Sequence, residues 1–191
     1  MEAELTLSGE LFSRYRRELI GGGILLFALC IYCIGAAGRL FEGLGLTGFL
    51  WTAAVFDYRC GFIFDRLTFS MALCALCFQL YEGCGLYQLA EGLFAGGAPL
   101  LAVRVLSRGG LGGGDVKLAA AGGLWLGWQS ALLALALTSW IGGLAAIVLL
   151  VSGRKRAGDE VAFGPFLAFG IWIAFLFGDS LIKLYGAFSC G

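Results

Sequence analysis

Asp57 and Asp115 are the residues of this 191-residue chain whose type and placement best suit chemistry. Asp57 closes one apolar run and Asp115 opens another 58 residues later, so each stands where a membrane segment would meet water. Two carboxylates sharing a site cannot both ionise easily: one keeps its proton and donates, while the other accepts a proton from water. Aspartyl hydrolysis of a peptide bond requires this. The same two residues also read as plain interfacial charges beside Arg59 and Lys117, and charge placement alone does not separate the readings. Histidine is absent, which removes Cys-His and Ser-His hydrolysis, HExxH zinc proteases and nearly every His-built metal site. A hydrolase of this composition must use carboxylates or a Ser-Lys pair, and Lys117 lacks a convincing serine partner.

Asp115 ends the run Gly112-Gly113-Gly114-Asp115, which fits the pattern G-x-G-D. With 32 glycines in the chain the pattern alone is cheap. Its place matters more, because glycines ahead of a helix let backbone, and hence an extended substrate, come close to the carboxylate.

Membrane helices carry these residues. The chain is 60% hydrophobic and 14% charged, with a mean hydropathy of +0.89, whereas a soluble domain is about 45–50% apolar and about 25% charged. At about 20 apolar residues per spanning helix, the length leaves room for six or seven helices and no separate soluble domain. Apolar runs bounded by charge or glycine give seven segments, at about 19–38, 44–57, 67–82, 86–106, 115–128, 130–151 and 163–186. They are continuous rather than alternating, which argues against a membrane barrel.

The distribution of positive charge tests this count. A cytoplasmic N-terminus puts Arg14, Arg16, Arg17, Arg59, Arg66, Arg104, Arg108, Lys117, Arg154, Lys155 and Arg156 inside, leaving only Arg39 and Lys183 of the 13 basic residues outside. The expected fold is therefore an all-α, polytopic transmembrane helix bundle of about seven spans, N-terminus cytoplasmic and C-terminus outside. A net charge of zero, with no basic arm, gives no footing for nucleic acid.

Residues 2–18 mix Leu5, Leu7, Leu11, Phe12 and Tyr15 with Glu and Arg, which suits a short helix on the cytoplasmic leaflet. Arg14 to Arg17, an apolar core and Gly35-Ala36-Ala37-Gly38 also fit a secretory signal peptide. Cys30 and Cys33, and Cys74 and Cys77, make two CxxC pairs, but both fall inside apolar segments, where cysteine packs as a small hydrophobe more readily than it binds zinc. Gly96-Gly97-Ala98-Pro99 should loosen or kink the fourth span. Asp179 and Lys183, four apart, are expected to pair with each other. Glu91 lies within a span without an obvious partner and suits a structural or water-facing role.

Three blocks resemble the type IV prepilin peptidases, intramembrane aspartyl proteases of the GxGD type. Residues Phe56 to Thr68 are similar to the family's Asp-Leu-Arg run ending in Pro-Asp-x-Leu-Thr, Gly112 to Leu118 to its G-x-G-D-x-K-L block, and Phe163 to Ala168 to its F-G-P-F-L-A block. The resemblance covers about residues 44 to 186. It implies that Asp57 and Asp115 form the catalytic pair, with Asp65 and Lys117 as secondary candidates and Gly112 and Gly114 as the motif glycines. It implies no cofactor and no metal. Phe64 stands where the family usually has proline, which puts the loop after Asp57 in question.

The implied organisation is an N-terminal interfacial segment at 1–18, an extra span and short loop at 19–43, and a six-span catalytic core at 44–191. The cytoplasmic domain with paired CxxC motifs found in longer members is lacking, so this is a short form and N-methylation of the product is not expected. The implied activity is removal of leader peptides from pilin-like or pseudopilin-like precursors at the cytoplasmic face of a bacterial-type inner membrane. The partners are then the precursor protein and the lipid bilayer, with the oligomeric state open. The rival reading is a small proton- or ion-coupled transporter using the same aspartates, which would place them near the midplane and often carry a repeat. No repeat is visible.

Overall fold

The computed structural model describes residues 16–34, 39–152 and 162–189. Among the described residues the chain forms six helices: α1 (Arg16–Ile34), α2 (Leu40–Cys60), α3 (Asp65–Tyr81), α4 (Leu86–Leu106), α5 (Gly113–Val151) and α6 (Gly164–Ser189). The expected all-α architecture holds. The leaflet helix at 2–18 falls largely, and the small residues at 35–38 and the cations at 154–156 fall wholly, outside the described residues.

Helix α5 has 39 residues, which would reach about 58 Å if straight, nearly twice a hydrocarbon core of about 30 Å. It is not straight. Gly127 takes φ 73° and ψ 170°, a conformation open in practice only to glycine, and breaks the helix. Before the break, Ala119 and Gly123 lie against Gly96 and Gly92 of α4. After it, Ser130 lies beside Gly178, Thr138 beside Gly170 and Gly142 beside Phe166, so this half runs antiparallel to α6. Gly164, at the start of α6, touches Asp57, whereas Trp125 and Gly127 share a cavity with Asp179 at the far end. The chain thus runs away from the aspartates and doubles back at Gly127. The two segments expected at 115–128 and 130–151 are the halves of this broken helix.

Leu86–Leu106, Gly113–Val151 and Gly164–Leu184 are long and apolar enough to cross a membrane, and Ile20–Ile34 is a shorter apolar helix. Outward-facing Ile24, Phe94, Val105, Trp140 and Ile147 cover the bundle with apolar surface that suits lipid and not water. The molecule is a membrane protein. Where α4 meets the first half of α5, Gly92 and Gly96 leave no room for a side chain before the carbonyls of Gly123 and Ala119. In lipid, where apolar burial does not drive helices together, such close backbone contact is what holds them. α4 stays helical through Pro99.

Buried polar groups tie further helices together. Buried Trp125 donates from Nε1 to the Met71 carbonyl (3.1 Å), and Gln79 Nε2 donates to the Trp125 carbonyl (3.0 Å), joining α3 to α5. Trp172 Nε1 donates to Thr47 Oγ1 (3.0 Å), joining α6 to α2. In a lipid-facing bundle an unpaired indole N–H would be costly, so these bonds fix the register of the helices.

At the end away from the aspartates, a cavity of about 390 Å³ is lined by Arg39, Glu42, Gln79, Glu91, Trp125 and Asp179 among others. Half-buried Glu91 faces this space. The expected Asp179–Lys183 pair is not formed. Asp179 Oδ2 lies 3.6 Å from Arg39 Nη1, and Arg39 Nε lies 3.7 Å from Glu42 Oε2. One guanidinium between two carboxylates gains from both, whereas a pair four apart on a helix is worth only about 0.3–0.5 kcal/mol.

Candidate active site

Asp57 occupies the last turn of α2. Gly61 ends that helix in the left-handed conformation (φ 70°), its N–H donating to the Asp57 carbonyl at 2.8 Å. The turn sends the chain through Phe62, Ile63 and Phe64 into α3. Phe64 has φ −68°, the value proline is fixed at, so the backbone keeps the course expected of the family's proline. The ring takes over the anchoring: it is buried, edge-on to Phe56 (centroids 5.2 Å) and beside Phe62 (4.5 Å).

Asp57 is 6% exposed, and its Oδ2 accepts a hydrogen bond from the backbone N–H of Gly164 at 2.8 Å. Gly164 is the first residue of α6, so this N–H has no partner within its own helix and points along the positive end of the helix dipole. A Cβ on Gly164 would stand 2.6 Å from Asp57 Oδ2. Glycine is needed there to let the carboxylate in.

Asp115 sits in the first turn of α5, a position that favours a negative side chain for the same reason. It is 7% exposed, and its Oδ1 is buried with no hydrogen-bond partner among the described residues. The three glycines before it are small for three different reasons. A Cβ on Gly112 would stand 2.9 Å from Asp115 Oδ2, one on Gly113 2.7 Å from Arg104 Nη1, and one on Gly114 3.0 Å from the Cβ of Ile63. The turn is wedged between its own aspartate, α4 and the loop that follows Asp57.

The two carboxylates face one cavity of about 360 Å³, lined also by Gly61 to Ile63, Asp65, Gly112 to Gly114 and Lys117. Asp65, at the start of α3, and Lys117, two residues past Asp115, form an ion pair across it, Nζ to Oδ1 2.6 Å. Every site residue expected from the sequence is therefore brought to one place. Among the described residues no serine lines the cavity, and Lys117 has the Asp65 carboxylate as its partner. Although three carboxylates line the space, no group of three His, Cys, Asp or Glu stands close enough to hold a metal ion among the described residues.

Two contacts were not legible. Gly164 belongs to a block that stood out in the sequence, but nothing there shows its N–H meeting Asp57, 107 residues away. Arg104 carried no signal beyond its charge, yet it packs on the glycine turn.

Comparison with known proteins gives the family. The profile of the type IV leader peptidase family matches residues 44–147, more than half of the chain and a range that holds Asp57, Asp65, Asp115 and Lys117. The chain belongs to the type IV leader peptidase family. Its curated relatives include a prepilin leader peptidase/N-methyltransferase of Burkholderia pseudomallei, 32% identical over 175 residues, which is 88% of this chain and 56% of that protein. Proteins of the same description from Aeromonas hydrophila and Escherichia coli are 37% identical over 127 residues and 34% over 131, covering 63% and 65% of this chain and 44% and 58% of theirs. The chain thus spans little more than half the length of these family members at most. No solved structure matches it.

Proposed function

We propose that this chain is an aspartic endopeptidase of the membrane that removes leader peptides from pilin-like precursors, with Asp57 and Asp115 as its catalytic pair. The observation that carries the reading is the convergence of two nearly buried carboxylates, from different helix ends, on one cavity beside a glycine turn. Family membership supplies the substrate class.

One aspartate, as base, activates a water towards the scissile carbonyl. The other, protonated, polarises that carbonyl and then gives its proton to the leaving amine. The pair titrates together, so the resting proton belongs to both. The glycine turn lets an extended peptide lie against the carboxylates, and Asp65 and Lys117 frame the entrance.

The site lies on the cytoplasmic side of a seven-crossing bundle whose N-terminus is also cytoplasmic. Two arguments support this. Counting α5 as two crossings restores the odd number that separates the termini, and Arg59, Arg66, Arg104, Arg108 and Lys117 gather at the aspartate end, where the positive-inside rule wants them. The core begins at about residue 44, with α1 as an added helix, and the membrane is the inner membrane of a bacterial-type cell. A transporter fits less well, because both carboxylates sit at helix ends and not midway along a crossing.

The test is cleavage of a pilin-type precursor by membranes holding the wild type, Asp57→Asn or Asp115→Asn, with insertion of each verified. Cleavage by the wild type alone supports the reading. Cleavage by all three removes these aspartates from the chemistry.

A further inference from the structure

We propose that Arg104 is a positioning residue: it clamps the glycine turn ahead of α5 and so sets where Asp115 stands. The clamp is read from geometry, and its catalytic consequence rests on the function proposed above. Arg104 lies in the last turn of α4. Its Nη1 donates to the Leu111 carbonyl at 3.1 Å, and its own carbonyl accepts the N–H of Gly109 (2.9 Å) and the hydroxyl of Ser107 (3.2 Å). Both ends of the residue hold the same loop.

That loop needs holding. Arg108 (φ 52°) and Gly109 (φ 94°) are consecutive left-handed residues, an arrangement a free loop leaves readily when one of the two is not glycine. The guanidinium also fills the space beside Gly113, where a Cβ would stand 2.7 Å from Nη1 and 3.3 Å from Cζ. Gly114, the next residue, bears on Ile63. The first turn of α5 is therefore gripped between Arg104 and the loop that descends from Asp57, and Asp115 is the next residue along.

No carboxylate pairs with Arg104 among the described residues, and it does not line the catalytic cavity. Its charge is directed to a loop carbonyl. A planar, forked guanidinium can meet that carbonyl while lying against Gly113, whereas a lysine ammonium offers a point charge on a flexible stem.

The experiment uses the full chain in detergent micelles or nanodiscs. Amide hydrogen exchange of the segment 105–114 is compared among wild type, Arg104→Lys and Arg104→Gln, with steady-state cleavage of a pilin-type precursor measured alongside. Arg104→Gln should raise exchange in that segment only. It should lower kcat by about 10- to 100-fold, the scale for a slightly misplaced reacting group, and leave KM within about twofold. Arg104→Lys should fall between. Gly113→Ala supplies the second arm: with Arg104 present the new methyl displaces the guanidinium and raises exchange, and in the Arg104→Gln background it should add little. Unchanged exchange in Arg104→Gln, or equal effects of Gly113→Ala in both backgrounds, overturns the clamp, and a rise in KM with kcat unchanged overturns the positioning role. If the wild type cleaves no precursor, or Asp57→Asn and Asp115→Asn cleave as it does, the proposed function fails while exchange and coupling still decide the clamp.

Discussion

The backbone N–H of Gly164 meets the carboxylate of Asp57 at 2.8 Å, across 107 residues of sequence. This bond ties the end of α2 to the start of α6, and it depends on there being no side chain at position 164. Gly164→Ala should push Asp57 off its seat. We expect cleavage to fall by about 10- to 100-fold, as for a reacting group displaced by a fraction of an ångström to an ångström. Gly143→Ala is the control, since a Cβ there meets nothing within 4 Å. Precursor cleavage by the two purified variants, each at a matched folded amount, decides it, and equal activity would remove the contact from the mechanism.

Asp57→Asn and Asp115→Asn should each lower cleavage by roughly 10³- to 10⁴-fold, the scale seen when one member of a catalytic unit is made unable to exchange its proton. The double variant should be little worse than either, because the two act as one device. Additive losses, measured by single-turnover cleavage, would mean two independent roles.

Lys117 and Asp65 make a close ion pair, but their side chains are 54% and 65% exposed. Such a pair contributes at most about 1 kcal/mol to stability and weakens with salt. Lys117→Met and Asp65→Asn should leave the unfolding midpoint nearly unchanged. They should lower cleavage at low salt, and the double variant should match the singles. A double-mutant cycle over a salt series checks this, and full additivity would mean the two act separately.

Gly127→Ala should destabilise the fold by about 1–3 kcal/mol, because a residue with a Cβ is strained at φ 73°, ψ 170°. Thermal unfolding in micelles would show a lowered midpoint. An unshifted midpoint would mean that the turn at 127 tolerates another course.

How much of this could be read in advance follows from what each feature depends on. The apolar runs map onto the helices because hydropathy is local, and Asp57 and Asp115 stand out because the order of the runs brings both to one membrane boundary. The halves of α5 are separate segments in the sequence because Gln129 interrupts the apolar run, two residues past the glycine that turns the chain. The partner of Asp179 was misread: four-residue spacing sees only one helix, and Arg39 arrives from another part of the fold. For the same reason the Gly164 N–H and the Arg104 clamp were invisible, being contacts between surfaces whose docking only the assembled bundle reveals.

Between the cavity of the two aspartates and the one at the far end lies the stretch of α5 from Asp115 to Trp125, whose Leu118 and Ala121 belong to one buried apolar cluster with Met71 and Ile171. Ten residues of helix rise about 15 Å, half the thickness of the hydrocarbon layer. Where both polar-lined hollows fill with water, the insulation separating the two aqueous phases is this short apolar plug. The membrane voltage then drops over half the usual distance, and Trp125, buried and bonded through its indole N–H to the Met71 carbonyl, closes the plug where it meets the far cavity.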